Sequence, residues 1–168
     1  MALLAVELYM RLHKEFGSNH SEEIMSHYYT IMEAISKGNT EAMIDLAVFY
    51  EHGCPQLDIE KDLLKSAYWN YMAAKQGDTL GAYRYGRNFL IVNSDNGQLA
   101  DVEEKGMKYI IEAADGGIAA AQQMAGIAYT NGYGVEVSYQ KAYDYLLEDI
   151  KNGCSDAQED LEILLRKM

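Results

Sequence analysis

Ala113-Ala114-Asp115-Gly116-Gly117 is the stretch of this sequence that decides the fold, because its pattern of small residues before a glycine recurs along the chain. Four glycines recur at this spacing, 39, 40 and 36 residues apart: Gly38, Gly77, Gly117 and Gly153. An alanine stands four positions before each of the first three. A period of this length is typical of repeat arrays, in which each unit buries its apolar face against its neighbours.

Small and bulky side chains also stand at fixed distances from each glycine. The residues four, eight and twelve positions after it are Ala42, Leu46 and Tyr50, then Gly81, Tyr85 and Phe89, then Ala121, Ala125 and Tyr129, then Ala157, Leu161 and Leu165. These offsets lie on one helical face, which we expect to point inward. Each unit is therefore predicted to form a helix, a turn in which glycine adopts a positive φ, and a second helix.

Three stretches carry a family resemblance: Lys141-Ala142-Tyr143, the stretch ending at Gly117, and Tyr129-Thr130-Asn131-Gly132-Tyr133-Gly134-Val135. They resemble the Sel-one-like repeat, a relative of the tetratricopeptide repeat, over roughly residues 26 to 168. The resemblance implies an all-α fold, a right-handed α/α superhelical solenoid of helical hairpins. It also implies a scaffold or adaptor that binds other proteins.

The helical pattern predicts about nine helices, near residues 2–16, 21–37, 41–52, 60–76, 79–91, 102–115, 118–130, 139–151 and 155–167. Six residues are expected to cap helix starts through a side-chain oxygen: Ser21, Asp58, Asp78, Asp101, Ser138 and Ser155. We expect one domain over residues 1–168. Residues 1–37 would form an N-terminal capping pair, 38–152 three repeat units, and 153–168 a C-terminal capping helix with Leu161, Leu164 and Leu165 inward.

The charge balance limits the classes of partner. Lys and Arg number 14 against 26 Asp and Glu, a formal net charge of −12. Such a surface repels a phosphate backbone and an anionic membrane, which argues against binding either. A basic protein is the natural complement, although acidity also serves simply to keep a bacterial cytosolic protein in solution.

Cysteine usage and the first residues bear on location. Cys54 and Cys154 occupy different positions of the repeat, too far apart in a stacked array for a disulfide, which favours a reducing compartment. The stretch from Met1 to Glu7 lacks the basic start of a signal peptide. We therefore expect a cytoplasmic protein.

Catalytic and metal-binding patterns are weak. The four histidines, His13, His20, His27 and His52, have no partner at ligand spacing, so neither a metal nor a cofactor is expected. Gly132-Tyr133-Gly134 is interpreted as a turn with positive φ rather than a phosphate loop, since no lysine follows it. The alternative to a binding module is a hydrolase-type enzyme that uses Glu51, His52 and Arg87.

The helical register also predicts the concave, partner-binding face. Positions 3, 6, 10, 13 and 14 after a glycine should line it. The partner-binding candidates are Glu41, Val48, Glu51, His52, Tyr83, Arg87, Gln123, Ile127, Thr130 and Asn131, with Ile44, Leu80, Leu90, Ile91 and Ala120 completing the lining. This mixture of apolar, aromatic and polar side chains is typical of protein interfaces, although a merely solvated face would also satisfy the register.

The leading hypothesis is thus a non-enzymatic module, monomeric or weakly associating, that binds another protein as an adaptor, scaffold or inhibitor. A narrower version is an immunity protein that neutralises a basic toxin. Self-assembly through the end helices is a third hypothesis.

Overall fold

The computed structural model describes residues 21–93, 99–154 and 156–168, and the described part of the chain is built from α-helices. Eight helices occur there: α1 Ser21–Ser36, α2 Thr40–His52, α3 Leu63–Ala74, α4 Thr79–Asn93, α5 Leu99–Asp115, α6 Ala119–Asn131, α7 Tyr139–Lys151 and α8 Asp156–Leu165. A short 3-10 turn, Pro55–Leu57, follows α2. The predicted all-α fold and the helical hairpins are confirmed, while the expected helix at 2–16 and the expected cap Ser155 lie outside the described residues.

The glycine turns that close α1, α3, α5 and α7 share one geometry. The four glycines have φ between +80° and +94°, as expected. In the turn at Gly117, its N–H donates to the carbonyl of Ala114, and the next N–H, from Ile118, donates to the carbonyl of Ala113. The same two bonds, three and five residues back, recur at the other three glycines. This is the Schellman arrangement, which satisfies the last carbonyls of a helix.

A second recurring link joins successive hairpins. The N–H of Asp62 donates to the carbonyl of Tyr50 at 2.7 Å, and the N–H of Ser138 donates to that of Tyr129 at 2.9 Å. Both donors stand 15 residues before a repeat glycine and are the N-caps of α3 and α7. A lysine in the first turn of each helix lies over the ring of the same tyrosine. Nζ of Lys65 is 5.3 Å from the ring centroid of Tyr50, and Nζ of Lys141 is 4.9 Å from that of Tyr129.

These caps correct part of the sequence prediction. Asp58 does not cap α3; it follows the 3-10 turn in a left-handed conformation, and Asp62 caps the helix instead. Asp101 lies inside α5, because that helix begins at Leu99. Asp78 accepts from the N–H of Gly81, and Ser138 caps α7, both as expected. Ser21 is the first residue of α1.

The described residues fall into two compact units, one ending at Gly81 and the other beginning at Ala82. In the first unit, buried side chains of α1 and α2 pack with the segment after α2. They are Ile24, Ile31, Ala42, Leu46, Phe49 and Cys54. Trp69 of α3 packs against this cluster and against a second one formed by Met43, Ile44 and Ala73.

In the second unit, α6, α7 and α8 enclose a core made of Tyr129, Ala142, Leu146, Ala157 and Leu164. Glycines let the helices of this unit approach closely. A Cβ added at Gly126 would lie 2.5 Å from Cγ of Leu146, and one at Gly106 would lie 2.6 Å from Cγ of Leu90. The expectation for the last helix holds only in part, because Leu164 is fully buried whereas Leu165, one residue further round the helix, is 55% exposed.

Candidate protein-binding site

In the first unit, the four partner-binding candidates lie on α2 with different accessibilities. Glu41 and His52 are exposed, Glu51 is half-buried, and Val48 is 7% exposed. Nδ1 of His52 lies 3.2 Å from the carbonyl oxygen of Val48, so its own helix orients the ring. Because Val48 is covered by the protein itself, only the other three candidates are available to a partner.

In the second unit, the candidates lie on α4 and α6. Tyr83 and Arg87 are half-buried on α4. On α6, Gln123 donates a 2.8 Å hydrogen bond to a carboxylate oxygen of Asp160, and Oδ1 of Asn131 accepts one of 2.6 Å from Lys167. These hydrogen bonds join the predicted face to α8 and to the residues after it.

Two further candidates on α6 have contrasting environments. Thr130 is 5% exposed, and its hydroxyl group donates a hydrogen bond to the carbonyl of Gly126 in the same helix. A partner protein therefore cannot reach this side chain. Ile127 is half-buried and lines an apolar pocket of about 480 Å³. Leu90 of α4, also expected on this face, lines the same pocket. The structure thus brings these two predicted residues together around one cavity.

The pocket is built from the end of α4, the first half of α5, the second half of α6 and the loop after it. The lining side chains are mostly aliphatic or thioether groups, with one tyrosine and one carboxylate: Leu90, Val102, Glu103, Met107, Met124, Ile127, Ala128 and Tyr133. Its volume falls in the range of roughly 300 to 1,000 Å³ that is typical of ligand sites in proteins. Methionine suits such a wall, because its flexible thioether adapts to differently shaped ligands.

Backbone contacts explain how Tyr133 reaches the pocket. Gly132 and Gly134 flank it with φ of +81° and +61°, as expected for a turn. Gly134 lies directly against the backbone of Glu103, and a Cβ there would overlap the Glu103 carbonyl group. The loop therefore docks on α5 only with glycine at this position, and docking leaves Tyr133 at the pocket with 54% of its surface exposed.

The charged side chain that lines the pocket is acidic. Glu103 is the charged side chain of the lining, and the neighbouring Glu104 and the nearby Glu136 are exposed. Residues 82–168 contain 14 acidic and 8 basic residues, a net charge of −6. Because α5 begins at Leu99 and not near residue 102, Glu103 lies in its second turn.

Sequence reasoning missed Met107, Met124 and Tyr133 as site residues. Met107 and Tyr133 fall outside the offsets used to predict the partner-binding face, and Met124 stands seven positions after Gly117, between two of them. A signal for Tyr133 was present in the two glycines around it, since an aromatic residue held between turn glycines is placed by the loop and not by a helix.

The structure locates the possible metal ligands and the residues of the alternative, enzymatic prediction. No cluster of three or more His, Cys, Asp and Glu side chains able to hold a metal occurs among them. Glu51 and His52 belong to the first unit and Arg87 to the second.

Within the described ranges, no helix is long and apolar enough to cross a membrane. Both cysteines are free thiols.

One carboxyl group with a raised pKa lies away from the accessible surface. Asp149 of α7 is fully buried, and burial raises the pKa of its carboxyl group. In the described part of the chain its carboxylate oxygens have no partner of ordinary hydrogen-bond geometry; the nearby thiol of Cys154 lowers the pKa and the charge of Asp160 raises it further. Because a substrate cannot reach this group, it is not a candidate acid or base.

Comparison with known proteins defines the family. The model of the Sel1 repeat matches three segments, residues 40–78, 79–118 and 119–148, which together make up more than half of the chain. A search of curated proteins gave no significant match.

Solved structures show the same fold. One is a protective antigen present in uropathogenic Escherichia coli strains, displaying an SLR fold, with 22% identity and a TM-score of 0.70 over 96% of this chain. Another is a Sel1 repeat protein from Oxalobacter formigenes, with 25% identity and a TM-score of 0.67 over 80% of this chain. The chain spans about a third of the length of each, 32% and 37%.

Proteins with Sel1 repeats generally serve as protein-interaction modules and are typically non-catalytic. The predicted fold class, a solenoid type built from Sel1-like helical hairpins, is confirmed. With three matched repeats and neighbours of the same fold, this chain belongs to the Sel1 repeat family.

Proposed function

We propose that this chain is a non-enzymatic protein-interaction module whose partner is a basic protein. The observation that carries the proposal is the position of Ile127 in the apolar pocket. This residue was placed on the partner-binding face by the repeat register, and it lines an apolar pocket of about 480 Å³ beside an acidic side chain. Exposed apolar concavities are characteristic of binding sites, so the pocket favours a face that binds a partner over one that is only solvated.

Charge supports the choice of a basic partner. The chain carries −12 overall, and the two units, residues 1–81 and 82–168, carry −6 each. Complementary potentials accelerate encounter and reject partners of the wrong sign. The described ion pairs of Glu33, Asp62, Glu148 and Glu162 are each formed with a basic residue three or four positions further along the chain. They lie at or near the surface, so they contribute little to stability.

The narrower role within this proposal is inhibition. A small acidic module that covers a basic surface is suited to neutralise a toxin or nuclease, in the manner of an immunity protein, in a reducing cytoplasm. The accessible members of the predicted face would make the contacts: Glu41, Glu51, His52, Tyr83, Arg87, Gln123, Ile127 and Asn131.

The test is affinity capture with the immobilised full chain, followed by titration calorimetry with each purified partner. We expect a basic protein whose affinity weakens steadily as ionic strength rises, because screening reduces attraction between exposed charges. An unrelated basic protein of similar net charge serves as the control and should bind far more weakly. An acidic partner, or an affinity indifferent to salt, would refute the proposal.

A further inference from the structure

The pocket of the second unit has the composition of a site for one large apolar side chain. An apolar cavity of about 150 Å³ already accommodates benzene. The present cavity is about 480 Å³, so an aromatic, leucine or methionine side chain fits with room for part of its neighbours. Four lining residues, Leu90, Met107, Met124 and Ile127, would surround it with aliphatic and thioether atoms.

The charges around the pocket indicate what should flank that side chain. The lining includes a carboxylate, Glu103, and its described members include no lysine or arginine. The exposed Glu104 follows it on α5, and the exposed Glu136 follows the loop that docks on the Glu103 backbone. An acidic partner segment would be repelled here, whereas lysine or arginine beside the apolar side chain would pair with these carboxylates.

Tyr133 contributes a further recognition group. The residue is 54% exposed at the pocket, and it stands in the loop that docks through Gly134 on the Glu103 backbone. A tyrosine ring offers a face for an arginine guanidinium or lysine ammonium group, as well as apolar area. Tyrosine is also enriched at the residues that dominate binding energies.

We infer that this pocket is the docking site for a basic peptide segment of the partner, one that inserts a single large apolar side chain flanked by lysine or arginine. The inference rests on the proposed function and specifies where and by what chemistry the partner is held. Glu103 pairs with the flanking cation, Tyr133 covers the segment, and Met107 and Met124 adapt to the inserted side chain.

The experiment begins with a display library of random dodecapeptides selected against the full-length chain. Peptides that dominate the selection should combine lysine or arginine with a central large apolar residue. A selected peptide is then titrated into chain labelled at the methionine methyl groups. The signals of Met107 and Met124 should move, whereas those of Met43 and Met72, which pack together in the first unit, should stay in place.

Matched variants give the energetic test, with circular dichroism as a check on folding. Met124→Lys should weaken the selected peptide about tenfold or more, as expected for a central contact residue. Met32→Lys, at an exposed methionine of α1, is its control. Glu103→Gln should weaken binding roughly twofold to fivefold, as for an exposed ion pair, and Glu104→Gln should weaken it less.

The experiment distinguishes failure of the pocket inference from failure of the proposed function. Basic peptides that bind but leave Met107 and Met124 unmoved would overturn this inference and leave the proposed basic partner standing. Selection of acidic peptides, or of none, would overturn it as well, and salt-dependent binding of a whole basic protein would then show whether the proposed function survives. Methyl signals of Met107 and Met124 that shift on concentrating the chain alone would assign the pocket to a second copy and also overturn it.

Discussion

The hydroxyl group of Tyr145 donates a 2.6 Å hydrogen bond to Oδ1 of Asp115, which joins the middle of α7 to the last residue of α5. The tyrosine ring also stacks on that of Tyr129, with 5.9 Å between centroids and 7° between planes. One residue of α7 thus contacts the ends of two preceding helices, so the alignment of α5, α6 and α7 depends partly on this side chain.

Removing that hydroxyl group tests the link. Tyr145→Phe should lower the free energy of unfolding by roughly 1 kcal/mol, the net contribution of a typical hydrogen bond. Tyr68→Phe, at an exposed ring of α3, is the control and should leave stability unchanged. Urea denaturation measures both, and equal stabilities of Tyr145→Phe and the wild type would contradict this role of the bond.

The pH dependence of that effect has a definite sign. Burial, the hydrogen bond and the negative charge of Asp115 raise the pKa of Tyr145 above its ordinary value of 10.0. The folded state therefore keeps the proton to higher pH than the unfolded state does, and the contribution is complete below pH 10. Above pH 10 the unfolded tyrosine ionises, so the stability difference between wild type and Tyr145→Phe should shrink.

Asp149 occupies a position at which the other repeats carry alanine. Counted from the repeat glycine, it corresponds to Ala34, Ala73 and Ala113, and the last two are fully buried. A buried carboxylate without strong partners costs roughly 1–3 kcal/mol. Asp149→Ala should therefore raise the free energy of unfolding by about that amount at pH 7, while Asp144→Ala on the exposed face of α7 should change it little.

The sign of the pH effect follows from the raised pKa of Asp149. The folded state binds this proton more tightly than the unfolded state, whose carboxyl pKa is near 3.8. The contribution of Asp149 to the free energy of unfolding of the wild type therefore falls as pH rises from 3.8 through the folded pKa. The advantage of Asp149→Ala should appear over that range and diminish toward pH 3.8. Thermal melts at several pH values measure it, and a destabilised variant at pH 7 would contradict the prediction.

Glycine is required at Gly134 for two reasons and at Gly117 for one. Both have positive φ, but an added Cβ at Gly117 meets no atom within 4 Å, whereas at Gly134 it overlaps the Glu103 backbone. Gly117→Ala should cost about 1–2 kcal/mol from backbone conformation alone. Gly134→Ala should cost about 1–3 kcal/mol more from the overlap. Comparison of their urea midpoints tests the docked loop, and equal losses of stability would argue against it.

Asn70 is a buried amide at a core position. It stands seven residues before Gly77, where the other units have Ile31, Ile110 and Leu146. It is fully buried, and neither its Nδ2 nor its Oδ1 has a hydrogen-bond partner in the described residues. Asn70→Leu should therefore stabilise the first unit by about 1 kcal/mol or more. Calorimetric unfolding measures the change, and a lower melting temperature would indicate that the amide has a role.

Much of the fold could be predicted because it depends on local rules. The positive φ of the four repeat glycines follows from the glycines themselves. The starts of α4 and α7 follow from their single capping residues, Asp78 and Ser138. The start of α3 was missed because Asp58 also looks like a cap. The repeat register could have corrected this, since Asp62 and Ser138 stand the same distance before their glycines.

The site was less predictable, because it depends on contacts between distant parts of the chain. Helical period alone placed Leu90 and Ile127 on one face. It could not show that a cavity remains between them, since that depends on the approach of Leu90 to Gly106 and of the Gly134 loop to Glu103. Val48 and Thr130 satisfy the register equally well yet are buried, and the Thr130 hydroxyl is already bonded to the carbonyl of Gly126.

Hydrogen–deuterium exchange on the full chain, with and without its captured basic partner, tests the central claim most directly. We predict that the partner slows exchange in residues 101–107 of α5 and in 124–135, which include the second half of α6 and the Tyr133 loop. Slowed exchange confined to α1, α2 and α3, with these segments unchanged, would contradict the account.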